Sequence, residues 1–71
     1  MREYAVIFEK TSTGWSAYAP DLPGLGVAGS TYEATEQLIR EGIQLHIECL
    51  RETGNEIPEP TTRVAVMSTA A

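Results

Sequence analysis

Between Ser30 and Thr53 the sequence keeps an unbroken helical period, and this stretch limits what the rest of the 71-residue chain can form. Ser30-Thr31-Tyr32-Glu33 fits a capping box, in which Ser30 accepts from the Glu33 amide and the Glu33 side chain reaches back, with Thr31 as the alternative cap. At the other end Gly54-Asn55 offer a left-handed stop, and Pro58 and Pro60 prevent continuation. At roughly 100° per residue, Ala34, Leu38, Gly42, Leu45 and Cys49 form one apolar stripe. Ile39, Ile43, Ile47 and Leu50 form a second beside it, with His46 between them. Together they cover roughly 200°, about twice what packing on one sheet requires. One stripe is therefore expected to seat the helix. The other is left for a partner or a second copy, unless irregular segments such as Ile57-Pro58 cover it.

The remaining segments read as strands and turns. Glu3 to Glu9 is β-branched and aromatic, with apolar residues on both sides of the two-residue period, which predicts a strand covered on both faces. Lys10 to Gly14 is a turn by composition, and Trp15 to Ala19 is a second strand with Trp15, Ala17 and Ala19 on one face, completing a hairpin. Pro20 and Pro23 remove ladder donors, so Pro20-Asp21-Leu22-Pro23-Gly24 is a rigid loop before a short third strand near Leu25 to Ala28. Arg63 to Met67 reads as a last strand reached by a crossover through the helix. With no repeat or linker in sight, residues 1–71 are expected to form one domain of the α+β class.

A chain this short buries only about 60% of its unfolded surface, so its core needs help from a disulfide, a metal or a second subunit. Cys49 is the only cysteine and His46 the only histidine, which removes an intrachain disulfide and a Cys/His zinc cluster and leaves self-association, as a homodimer or larger homo-oligomer. A lone thiol also fits a reducing, cytoplasmic setting, and neither a signal peptide nor a membrane segment is expected. A formal charge of −5 repels phosphate backbones and speeds encounter with a basic protein.

Gly14 to Gly24, Gly29-Ser30-Thr31-Tyr32-Glu33-Ala34 and Ile57-Pro58-Glu59-Pro60, in this order and spacing, resemble the HicB antitoxin family. Members show an aromatic strand running into Pro-Asp-Leu-Pro-Gly, a Gly-x-Thr-x-Glu-Ala helix start and an Ile-Pro-x-Pro exit. The resemblance implies a partial ribonuclease-H-like fold of order β-β-β-α-β. It also implies an antitoxin that sequesters HicA, a small basic toxin that cleaves messenger RNA. Many members carry a C-terminal DNA-binding domain. After Met67 only Ser68 to Ala71 remain, so operator binding is not expected of this chain, which reads as a short form. Leu25 stands where the family often has a cysteine.

A ribonuclease-H-like fold raises the prospect of a metal-dependent nuclease, which needs convergent carboxylates. The middle of the first strand is Ala5-Val6-Ile7-Phe8, Asp21 is the only aspartate, and Glu33 is committed to the cap. No catalytic, metal or cofactor residues are therefore assigned, and a stand-alone adaptor or structural domain remains the main alternative to an antitoxin. Trp15 is expected in the core. The residues expected to meet a partner are Tyr18, Asp21 and Leu22 around the rigid loop and Ile43, Ile47 and Leu50 on the second stripe. Asp21 is also expected to accept hydrogen bonds within its own loop.

Overall fold

The computed structural model describes residues 2–70. Strands β1 (Ile7–Lys10), β2 (Trp15–Tyr18) and β3 (Gly26–Gly29) precede a single helix, α1 (Tyr32–Glu52). The strands form an antiparallel meander of order β1-β2-β3, so the class is α+β as the sequence pattern implies. Ile7 pairs with Tyr18 and Lys10 with Trp15, and Thr11 N–H closes the hairpin on the Gly14 carbonyl at 2.8 Å. Cross-strand partners share a face. Phe8, Ala17 and Val27 therefore line up beneath the helix, while Ile7 and Tyr18 point to the other side.

Two successive tight turns make the loop after β2. Leu22 N–H reaches the Ala19 carbonyl at 3.0 Å, and Leu25 N–H reaches the Leu22 carbonyl at 3.2 Å. In the second turn Pro23 precedes Gly24 at φ +84°, the left-handed position a type II turn needs and glycine adopts without strain. These turns swing Leu22 inward until it is 0% exposed, in a core with Ala17, Ala19 and Ile39. The expected display of Leu22 to a partner is corrected here, because the turn that makes the loop rigid also buries its apolar side chain.

Helix α1 is capped by Thr31, whose Oγ1 accepts from the Ala34 amide at 3.0 Å. Moving the cap one residue past Ser30 places Ala34 where the box needs a glutamate, so the reciprocal half does not form. Glu33 still lies in the first turn, where the helix dipole favours an acid. At the other end Gly54, at φ +74°, donates to the Arg51 carbonyl and Asn55 to the Leu50 carbonyl, the paired bonds of a Schellman stop.

The helix lies over β3 and β2 and makes no such backbone approach to β1. A Cβ built on Gly29 would meet Thr35 Oγ1 at 2.6 Å, and one on Gly42 would meet Leu25 Cδ1 at 3.1 Å, so backbone and helix touch closely at both points. Thr35 is 0% exposed and Ile39 2%. The Thr35 hydroxyl donates to the Thr31 carbonyl at 2.7 Å, which satisfies its burial. The seam Thr35–Ile39–Gly42 straddles the two apolar stripes, taking Gly42 from one and Ile39 from the other, near the line of His46. Neither stripe seats the helix alone; each emerges on one flank. This corrects the one-seated, one-free expectation, and the reason is close packing: Thr35 and Gly42 fit a sheet that bulkier side chains would hold off.

Beyond the helix, Ile57 and Pro58 are half-buried, and the Pro58 carbonyl accepts from the Tyr4 hydroxyl at 2.6 Å. The expected last strand does not form among the described residues: Val64, Val66 and Met67 are 58%, 93% and 82% exposed. Among the described residues its backbone pairs with no strand of the sheet. The radius of gyration, 13.8 Å, exceeds the ~11 Å of a compact chain of this length, as a projecting segment requires.

Candidate functional site

Because α1 is displaced toward β3, an open groove remains on its β1 flank. Arg2, Tyr4, Val6 and Phe8 form the strand wall and Ile39, Ile43 and Ile47 the helix wall. Its larger part holds about 760 Å³ and is rimmed by Arg2, Arg40, Arg51 and Glu48. Three of the five basic residues of an acidic chain therefore border one groove. Two of them are held in place: Arg2 pairs with Glu59 at 2.9 Å and Arg40 approaches Glu36 at 3.8 Å.

The opposite flank differs in shape and charge. Leu38 is 42% exposed and Leu45 66%, forming with exposed Ala34 and Cys49 a ridge. Glu41 and Glu52, both exposed, fall next to that ridge on the helix wheel. Gln37 Nε2 donates to Glu41 at 2.8 Å, which steadies one of these carboxylates. An apolar ridge with acidic neighbours is the kind of surface that meets a basic protein, burying leucines at its centre and leaving charge at its rim.

Asp21 organises the third region. Its carboxylate accepts from the Thr61 and Thr62 amides at 3.0 and 2.9 Å and from their hydroxyls at 3.2 and 2.8 Å. These bonds, the Thr62 amide first and the Thr62 hydroxyl second, hold its pKa below the ordinary 3.8. The sequence places Asp21 bonds inside its own loop. The structure instead uses them to clamp a segment 40 residues away.

The residues expected to meet a partner are thus distributed over several places. Ile43 and Ile47 line the groove, half-buried, and Leu50 is half-buried beyond them. Tyr18 lies 42% exposed on the far face of the sheet, away from the helix. Leu22 is in the core and Asp21 is occupied by threonines. Sequence reasoning missed Leu38 and Leu45 as an exposed pair, although their stripe was visible. It also missed the arginine rim, which needs Arg2 and the helix side by side. Trp15 is half-buried, with Tyr32 edge-on at 5.4 Å and Lys10 Nζ 5.2 Å above its ring.

Residues 4–70 match the sequence profile of the HicB-like antitoxins of bacterial toxin–antitoxin systems. The chain belongs to the HicB-like antitoxin family. It is also 34% identical over 56 residues to an uncharacterized 14.9 kDa protein in the rep-hol intergenic region of Haemophilus phage HP1. That alignment covers 79% of this chain and 42% of the phage protein, so the HicB-like chain spans less than half of its relative. No solved structure matches it. Among the described residues, no helix of this HicB-like chain is long and apolar enough to cross a membrane.

Proposed function

We propose that this chain is the antitoxin of a HicA-type pair, a cytoplasmic binding module of residues 1–71 that sequesters a small basic messenger-RNA-cleaving toxin. Family membership carries this reading, since the matched family is one of toxin–antitoxin antitoxins. The geometry adds a surface: the Leu38–Leu45 ridge, with Glu41 and Glu52 beside it, complements a basic protein in both polarity and charge. A mode of action by binding rather than catalysis is supported by where the acids are used. Asp21 holds two threonines, Glu59 holds Arg2, and Glu41 accepts from Gln37. The β-β-β-α order is compatible with a partial ribonuclease-H-like fold that gains its last strand on assembly, and a homodimer is part of the proposal.

Co-purification with the product of a short basic reading frame, where one adjoins its gene, tests the function. A complex whose affinity falls steadily with salt is expected, as charge pairing across the rim requires. No complex with that neighbour would favour the stand-alone adaptor, and RNA cleavage by the purified chain with Mg²⁺ would replace the proposal with a metal-dependent nuclease.

A further inference from the structure

We infer that two copies of this chain exchange their Arg63–Met67 segments, each adding as a strand to the open edge of β1 in the other. The inference rests on the homodimer part of the proposed function and names the surface that builds it. Four observations converge. First, β1 is an edge of the sheet, so its outward amides and carbonyls have no ladder partner, and such an edge is a template for another strand.

Second, Arg63-Val64-Ala65-Val66-Met67 has strand composition yet makes no backbone hydrogen bond among the described residues. Val66 at 93% exposed and Met67 at 82% leave apolar surface in water that a second copy can cover.

Third, the segment is steered away from its own β1. The Pro58 carbonyl is held by Tyr4 and Glu59 by Arg2, upstream of β1, after which Thr61 and Thr62 are clamped to Asp21, in the loop leaving β2. From residue 58 to 62 the chain therefore passes from the β1 side toward the β2 side, and Arg63 leaves from there. Entry into the edge of another copy keeps all of these bonds.

Fourth, the alternation fits the site. Val64 and Val66 share one face of an added strand and fill the groove walled by Val6, Phe8, Ile43 and Ile47. Ala65 and Met67 then join Ala5 and Ile7 on the other side. In the antiparallel register that seats Val64 on Phe8 and Val66 on Val6, Arg63 falls beside Glu9.

Light scattering on the eluting full chain reads the assembly without any toxin. The wild-type chain is expected at about 15.4 kDa, twice 7.7 kDa. Val66→Pro, which removes a ladder donor at a residue that packs against nothing in one chain, and Val64→Lys are expected at 7.7 kDa with unchanged far-ultraviolet circular dichroism. Isotope-filtered nuclear Overhauser contacts between Val66 methyls of a labelled chain and the Phe8 ring of an unlabelled one place the strand in trans. A wild-type monomer overturns both the exchange and the proposed homodimer. A dimer that survives Val66→Pro, or Val66–Phe8 contacts confined to one chain, overturns the exchange alone and leaves the dimer and the toxin reading standing.

Discussion

The two flanks of α1 arise from one sequence pattern yet present opposite surfaces. Toward β1 the flank is a recess, with half-buried Ile43 and Ile47 under a rim of Arg2, Arg40 and Arg51. Away from β1 it is a ridge, with Leu38 and Leu45 in water beside Glu41 and Glu52. The difference comes from where the helix sits. Displacement toward β3 leaves an uncovered strip of sheet on one side, and nothing beneath the helix on the other. A recess beside a free strand edge suits an extended segment; an apolar ridge with acidic neighbours suits a folded basic partner. On the proposed function, the recess would take a second copy of the chain and the ridge would take the toxin.

That division can be broken at the seam or at either flank. The largest effect is expected at the seam: Ile39→Ala, at 2% exposed, should cost about 2–5 kcal/mol, enough to unfold much of a domain of this size. Thermal melting by circular dichroism reads it, and a loss well under 1 kcal/mol would show that the seam is misplaced. Next come the flanks, tested as a crossed pair. Leu45→Glu should change stability by under about 0.5 kcal/mol. It should nevertheless weaken toxin binding by tenfold or more, as loss of a central contact of about 2 kcal/mol would. Ile47→Glu should dissociate the dimer and leave toxin affinity within about twofold. Calorimetry with the toxin and light scattering without it separate the two. If both variants lose both activities, the flanks form one interface and the comparison fails.

A smaller effect concerns the Asp21 clamp on Thr61 and Thr62, from which the Arg63–Met67 segment departs. The folded-state pKa of Asp21 is depressed, so the stabilisation it gives is present above the ordinary value of 3.8 and is lost as pH falls through its lower folded-state value. Hydrogen exchange at the Thr61 and Thr62 amides should accelerate relative to that of the helix only at that acidic extreme. Asp21→Asn should show the fast behaviour at neutral pH. Equal protection in the variant would remove the clamp from the account. Smallest of all, Arg2→Ala deletes a pair whose side chains are 41% and 71% exposed, and should cost no more than about 1 kcal/mol, with high salt reducing the difference further.

Much of this was legible in the residues. The order of strands and helix follows from alternation, turn composition and the helical period. The Pro23-Gly24 turn and the Gly54 stop follow from backbone chemistry that few other residues allow, and the ordered segments around them carry the family resemblance. Short-range errors had short-range causes: Ser30 and Thr31 are equivalent as caps until the first turn is built, and the ladder begins at Ile7 rather than Glu3 because pairing, not composition, defines a strand. The candidate surfaces were less accessible. Ile43 and Ile47 were found as apolar residues beyond what one sheet needs, but Leu38 and Leu45 were assigned no role, and Leu22 was placed on the wrong side of its loop.

Sequence alone determined the three-strand meander and the helix, though not the fate of Arg63–Met67, together with the apolar excess of the helix and the acidic balance, because propensity, capping and charge belong to residues and their near neighbours. Only tertiary structure decided which flank is recess and which is ridge. That choice depends on Thr35 and Gly42 fitting closely against β3 and its approach, and on Arg2 meeting a helix almost 40 residues away. Contacts of that kind are set by shape across the fold, and no local pattern encodes them.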